Sequence, residues 1–391
     1  MSQRFSSRTG WDLGESPFAE AIRRARTEGR NLVDLTLSNP TVCGFDYDPE
    51  DILAPLSDAR ALVYDPDPRG MRSAREAVAA YYAGHGAEVD PDALVLTTST
   101  SEGYGYLFRL LCDAGDEVLV AQPSYPLFEF LAELEDVRLR PYPLFYDFGW
   151  WIDFAELERK IGPRTRAIVL VHPNNPTGHG TCAAERARLE ELCLRYRLAL
   201  IVDEVFLDYP LGDASLKSFA CGPHPVPTFV LSGMSKIAGL PQMKVGWMAA
   251  FAEEQDRREA LSRLEIIADT FLSMNAPAQW ALPRWLEGRW KIQQQILQRT
   301  SANINEIRLN GIEALRLDAG WSAVIRLPRI GIGAEDLLQH NVIVHPGSFY
   351  GMPERERVIV SLIVPPDQFS AGMRKIKVGM GWRPARSAVT S

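Results

Sequence analysis

The sequence predicts an α/β protein: a mainly parallel sheet between two helical layers, followed by a smaller α+β unit. Two observations carry this. Between about residues 70 and 250, runs rich in Val, Ile and Leu alternate with amphipathic helical patterns, and such apolar runs form parallel strands covered on both faces. Beyond residue 250 the order changes to a long helical stretch and then a cluster of strand patterns, which marks a second unit. A chain of 391 residues is long enough for more than one domain-sized unit.

In chain order, residues 1–30 read as an arm and a short helix, started by Ser16 and Pro17 and stopped by Gly29. NLVDLTLSNPT is a short strand ending in a turn at Ser38, Asn39 and Pro40. RGMRSAREAVAAYYAGHG is a helix ending at Gly84 or Gly86. Strands follow in ALVLTTS, EVLVAQPSY, RLRPYPL, TRAIVLVHP, LALIVDEVF, TFVLSGMS and KVGWMAAFA, with helical patterns between many of them. Residues 251–310 are helical, and GWSAVIRLP, VIVHPGSFYG and RVIVSLIV are strands of the smaller unit, closed by a helix in FSAGMRKIKVGM. The expected limits are 1–48 for an arm and part of the small domain, 49–290 for the large domain and 291–391 for the small C-terminal domain.

Composition narrows the function. Hydrophobic content of 46% and charged content of 24% are those of an ordinary globular protein. A net charge of −8 argues against nucleic acid as a partner, which needs a basic face. No uninterrupted apolar run approaches the roughly 20 residues that span a bilayer, so no membrane role is expected. Cys43, Cys112, Cys182, Cys193 and Cys221 are scattered and odd in number, which fits free thiols in the cytoplasm. The six histidines show no ligand spacing, so no metal site is expected.

In open α/β sheets, ligands sit at the carboxyl ends of the strands, and the chemistry-bearing residues fall there. Ser99, Thr100 and Ser101 open a helix, which makes either an anion seat or a simple N-cap. Tyr125 is placed to cover a flat ring or to pack. Asn175 lies in an Asn-Pro-Thr-Gly turn, positioned to donate into the crevice. Asp203 ends an all-apolar strand, where a carboxylate is costly without a partner: a protonated ring nitrogen, or an Arg or Lys. Lys236 sits in LSGMSKIAGLPQMKVGW among small and apolar neighbours, which depress an ammonium pKa and suit an amine to Schiff-base chemistry. Lys244, eight residues on, is a second cation. The set (amine, acid, amide, ring cover, hydroxyl-rich helix start, cation) describes a site for pyridoxal 5′-phosphate (PLP), an electron sink for carbanions.

With these motifs in hand, the chain resembles a fold-type-I PLP enzyme of the class I/II aminotransferase superfamily, on DLTLSNP, PNNPTG, DEVF and SGMSKIAGLPQMKVGW in that order. The resemblance implies an aspartate aminotransferase-like fold, with a seven-stranded-type sheet in a three-layer large PLP domain. It also implies a homodimer with active sites at the interface. Lys236 becomes the lysine that bonds the cofactor and shuttles the proton. Asp203 meets the ring nitrogen, Asn175 the phenolic oxygen, and Tyr125 the ring face. Ser99, Thr100, Ser101, Ser235 and Lys244 hold the phosphate, and Tyr64 reaches the phosphate of a second copy. Ser38, Asn175 and Arg357 are the expected substrate contacts.

The chain departs from the family pattern in several places. Phe206 stands where a tyrosine is usual, Lys244 where an arginine is, and Thr100 and Ser38 where glycines are common. Aligned on Ser361, the position of the carboxylate-binding arginine is Ile359. Arg357 lies two residues earlier and so on the same strand face.

The expected reaction moves an amino group between an amino acid and a 2-oxo acid by ping-pong kinetics. The alternative is other PLP chemistry on the same scaffold: β-elimination, cyclisation or decarboxylation. A ligand-sensing regulator is disfavoured, because only about 30 residues precede the first strand and the chain is acidic.

Overall fold

The computed structural model describes residues 4–272 and 274–381; the outermost residues of the expected arm and small domain lie outside these. Among the described residues thirteen strands form: β1 (Val33–Asp34), β2 (Leu94–Thr97), β3 (Glu117–Gln122), β4 (Arg138–Tyr146), β5 (Trp150–Ile152), β6 (Thr165–Val171), β7 (Ala199–Asp203), β8 (Thr228–Gly233), β9 (Gly246–Phe251), β10 (Ser322–Arg326), β11 (Val342–Ile343), β12 (His345–Pro346) and β13 (Arg357–Ser361).

The large sheet has the order β2-β9-β8-β7-β6-β3-β4-β5. Its centre, β8-β7-β6-β3-β4, is parallel, and β9 runs antiparallel between β2 and β8. The expected seven strands are joined by an eighth. β5 folds back on β4 as a hairpin, pairing Leu144 with Ile152. Its turn carries Phe148 at φ +49° followed by Gly149. The short WWI run is too brief to show a period, which is why it escapes a pattern reading.

Strand period two divides the core. Leu119, Ile168, Leu170, Leu200, Val202 and Val230 belong to one buried cluster, and Val118, Val120, Val169, Ile201, Phe229 and Leu231 to another. Both faces are therefore apolar and covered, giving a three-layer body. The helices Arg72–Gly84 and Ala276–Gly288 contribute Val78, Tyr82 and Trp285 to the first cluster, while Thr100–Leu111 and Glu254–Thr270 contribute Leu107 and Leu264 to the second.

The second unit has two small sheets where one was expected. Strands β10, β13 and β12 form an antiparallel sheet, and the N-terminal β1 pairs in parallel with β11. The VIVHPGSFYG run is thus split between the two sheets. A third core, with Leu35, Ile325, Val342, Val358, Val360 and Phe369, packs the unit against the helix Pro366–Gly379. The N-terminal segment is stitched in by Leu35, whose N–H donates to Ile343 O and whose carbonyl accepts from Ser361 N.

Candidate active site

A cavity of about 350 Å³ lies at the carboxyl ends of the parallel strands and is closed on one side by the small unit. Its floor is built by the large sheet. Strand β2 leads into the helix Thr100–Leu111, where the Ser99 hydroxyl caps Glu102 N at 3.2 Å. Ser99, Thr100 and Ser101 all line the cavity. Capping therefore occurs together with a cavity-facing helix start, whose N–H groups favour an anion. The loop is held close to β9 because residue 246 is glycine: a Cβ there meets Ser99 C at 2.9 Å and Thr100 N at 3.0 Å.

Strand β7 ends at Asp203, 6% exposed and lining the cavity. Val205 N–H donates to its Oδ1 at 3.1 Å and the Tyr104 hydroxyl to its Oδ2 at 3.3 Å. Burial pushes this carboxyl up to about 6, against those two donors and Lys236. Lys236 sits in the short helix Met234–Ile237 directly after β8. Its backbone carbonyl accepts from the Tyr209 hydroxyl at 2.6 Å. Its Nζ lies 5.0 Å from the Trp321 ring centre and 5.7 Å from that of Phe206. Burial among these rings lowers the ammonium to about 8, with Asp203 acting the other way, so the amine sheds its proton more readily than an exposed lysine.

Asn175, after β6, lines the cavity, and its Oδ1 accepts from Ser322 Oγ at 3.4 Å. The adjacent Asn174 turns inward and accepts from Thr177 Oγ1 at 2.8 Å, which leaves Asn175 as the amide that faces the cavity. Tyr125, 45% exposed, and Ser235 and Lys244 complete the floor and its rim. Lys244 takes a left-handed conformation at φ +54°. The small unit supplies the opposite wall: Thr36 and Ser38 from the N-terminal segment, Trp321 and Ser322 from the start of β10, and Ile359 and Ser361 from β13.

Lys236, Asp203, Asn175, Tyr125, Ser99, Thr100, Ser101, Ser235, Lys244 and Ser38 are thus brought to one cavity. Tyr64 is not; it is 79% exposed on the surface, beside the exposed Leu62 and Val63. Arg357 is placed elsewhere. It does not line the cavity, its Nη2 pairs with Glu354 at 3.2 Å, and its guanidinium lies 5.7 Å from the Trp150 ring centre. Ile359 holds the cavity-facing position on that strand. Trp321 lines the cavity, whereas Trp150 belongs to the core.

Tyr104, Tyr209, His345, Tyr350, Ser322 and Ser361 were missed. Tyr104 carried a signal: it is a hydroxyl four residues after Thr100, hence on the same helix face. Among the described residues there is no group of three or more His, Cys, Asp or Glu side chains able to hold a metal ion, and no helix long and apolar enough to cross a membrane.

A parallel-sheet cavity holding a lysine amine, a buried acid and a helix-start anion seat defines an enzyme of covalent amine chemistry. Comparison with known proteins gives the particular family. Residues 50–366 match the family model "Aminotransferase class I and II", and the chain belongs to this family. It is 28% identical over 284 residues to the glutamate-pyruvate aminotransferase AlaA of Escherichia coli K12, covering 72% of this chain and 69% of that protein. It is 27% identical over 357 residues to an alanine aminotransferase of Mycobacterium tuberculosis H37Rv, covering 86% and 82%. The solved alanine aminotransferase of Pyrococcus furiosus superposes with a TM-score of 0.85 at 22% identity, covering 97% of this chain and all of that one. The chain is a PLP-dependent transaminase that moves an amino group between an amino acid and a 2-oxo acid.

Proposed function

We propose that PLP binds in this cavity on the residues that line its floor and that the donor amino acid enters between it and the small-unit wall. The donor set fits PLP: a lysine amine held at about 8, a buried acid, and a hydroxyl-rich helix start beside Lys244. Bound PLP supplies the electron sink that makes the hydrogen on the amine-bearing carbon acidic.

The chain's own residues do the rest. Lys236 Nζ would hold the cofactor and would serve as the base that takes and returns the proton of the substrate's α-carbon; an amine whose pKa is lowered toward neutrality is matched to that work. Asp203 keeps a proton on the ring nitrogen, Asn175 donates to the ring oxygen, and Tyr125 covers the ring. Ser99, Thr100, Ser101, Ser235 and Lys244 hold the phosphate. Trp321 and Phe206 flank the amine with apolar surface. Ser38 and Asn175 contact the substrate, Ile359 presents an apolar surface to it, and Arg357 stays with Glu354.

The exposed Leu62–Tyr64 stretch supports a homodimer in which Tyr64 approaches the neighbouring copy's phosphate site. Five free cysteines support a cytoplasmic setting.

The observation that carries this reading is the depressed Lys236 amine facing Asp203 across one cavity. The test is a screen of amino donors on the PLP-loaded protein, followed by loss of its visible absorption band. Appearance of the matching 2-oxo acid without ammonia supports transamination. Release of ammonia with recovery of the band would replace it with elimination, and a band that survives Lys236→Ala unchanged overturns the assignment of Lys236.

A further inference from the structure

Asp203 must do more than be acidic; it must aim. An ionised carboxylate accepts at about four lone-pair positions. The protein fills one on each oxygen, with Val205 N–H on Oδ1 and the Tyr104 hydroxyl on Oδ2. The first contact is local, two residues along the chain. The second comes from a different element and is the only hydrogen bond of the Tyr104 hydroxyl among the described residues. Tyr104 is itself immobilised: 2% exposed, edge-on to Phe128 with ring centres 4.9 Å apart, and tilted against Phe108 at 6.1 Å.

Thr100 and Tyr104 share one face of the helix Thr100–Leu111, and both line the cavity. One rigid helix thus presents the anion seat at its start and a donor to the ring-nitrogen acid a turn later. Burial also keeps the phenol far above its ordinary titration range, so it is a donor at every working pH.

We propose that Tyr104 is a positioning residue: its hydroxyl fixes the Asp203 carboxylate in one orientation and leaves the remaining lone pairs for the ring nitrogen of bound PLP. The proposal rests on the reading of Asp203 given above. The titratable groups facing Asp203 are Lys236, Tyr82 from the helix Arg72–Gly84, and Tyr104. Of these, Lys236 and Tyr104 favour the ionised carboxyl.

The test compares the PLP-loaded wild type with Tyr104→Phe, which removes one oxygen from a packed ring, and with Tyr106→Phe, a neighbouring tyrosine outside the cavity lining. PLP affinity is read by tryptophan-fluorescence quenching on adding PLP to the stripped protein, and the visible band is titrated against pH. In Tyr104→Phe we expect about tenfold weaker PLP binding, as for loss of one hydrogen bond to a charged group. The band's pH dependence also changes, and kcat falls while KM stays within about twofold. Tyr106→Phe leaves all three readouts as in the wild type.

A Tyr104→Phe protein with unchanged PLP affinity and an unchanged band titration overturns the proposal, as does one that only lowers the melting temperature. A wild type that takes up no PLP overturns the cofactor reading itself and is seen before any variant is made.

Discussion

Replacing Lys236 with methionine should stabilise the PLP-free protein at neutral pH. Methionine keeps the length of the lysine stem and removes the charge. The cost being relieved is the burial that pulls the amine from 10.5 to about 8. Below about pH 8 the amine is charged in both states, and the folded state carries the full desolvation penalty. Between about 8 and 10.5 the unfolded chain binds more protons, so wild-type stability rises with pH, and above 10.5 the penalty is gone. A drop of that size corresponds to at most about 3 kcal/mol. The amine borders a water-accessible cavity, and Asp203 loses a favourable neighbour, which together cut the gain to about 2 kcal/mol. For a chain of 391 residues this raises the melting temperature by about 2 to 3 °C. Scanning calorimetry on the PLP-free proteins at pH 7 and pH 9.5 measures it, and the gap between variant and wild type shrinks to less than half at the higher pH. A variant less stable than wild type at pH 7, or a gap that ignores pH, refutes the claim that Lys236 is held in a disfavoured charged state.

Gly246→Ala forces a Cβ to within 2.9 Å of Ser99 C; it should cost about 1–3 kcal/mol and weaken PLP retention on dialysis by more than tenfold, whereas normal retention means the Ser99–Ser101 loop does not hold the phosphate. Phe206→Tyr adds a hydroxyl beside Lys236 and should shift the pH midpoint of the visible band downward; an unmoved midpoint shows that residue 206 does not reach the ring oxygen. Arg357→Ala should leave KM for the amino donor within about twofold, because the guanidinium is committed to Glu354; a rise of a hundredfold or more restores the arginine to the substrate.

Where chemistry and strand period coincide, the residues expected together do line one cavity. Asp203, Asn175 and Lys236 each end an apolar run or follow one closely, and a buried run allows a polar residue only at its end or at a site. The Ser99–Ser101 helix start was legible for the same reason. What the pattern left open depended on distance in three dimensions. Arg357 and Ile359 share a strand face, yet two residues along a strand move a side chain by about 7 Å, and only one of them borders the cavity. Trp150 and Trp321 are alike in sequence as aromatic residues, but one is a buried residue of β5 and the other lies beside Lys236. Tyr104 shares a helix face with Thr100, but the partner of its hydroxyl lies 99 residues away, so no local pattern names the contact.

The cavity's two walls come from different sheets, joined to their surroundings by separate hydrogen-bond ladders. Ser99, Asp203 and Lys236 hang from the large sheet, whereas Ser38, Ser322, Ile359 and Ser361 belong to a layer that Leu35 ties together through Ile343 and Ser361. Divergence can therefore act on the second wall while the first is kept intact. A lineage can replace Ile359 or Ser361 and reshape that wall of the cavity, without reopening the question of how the amine at residue 236 was tuned.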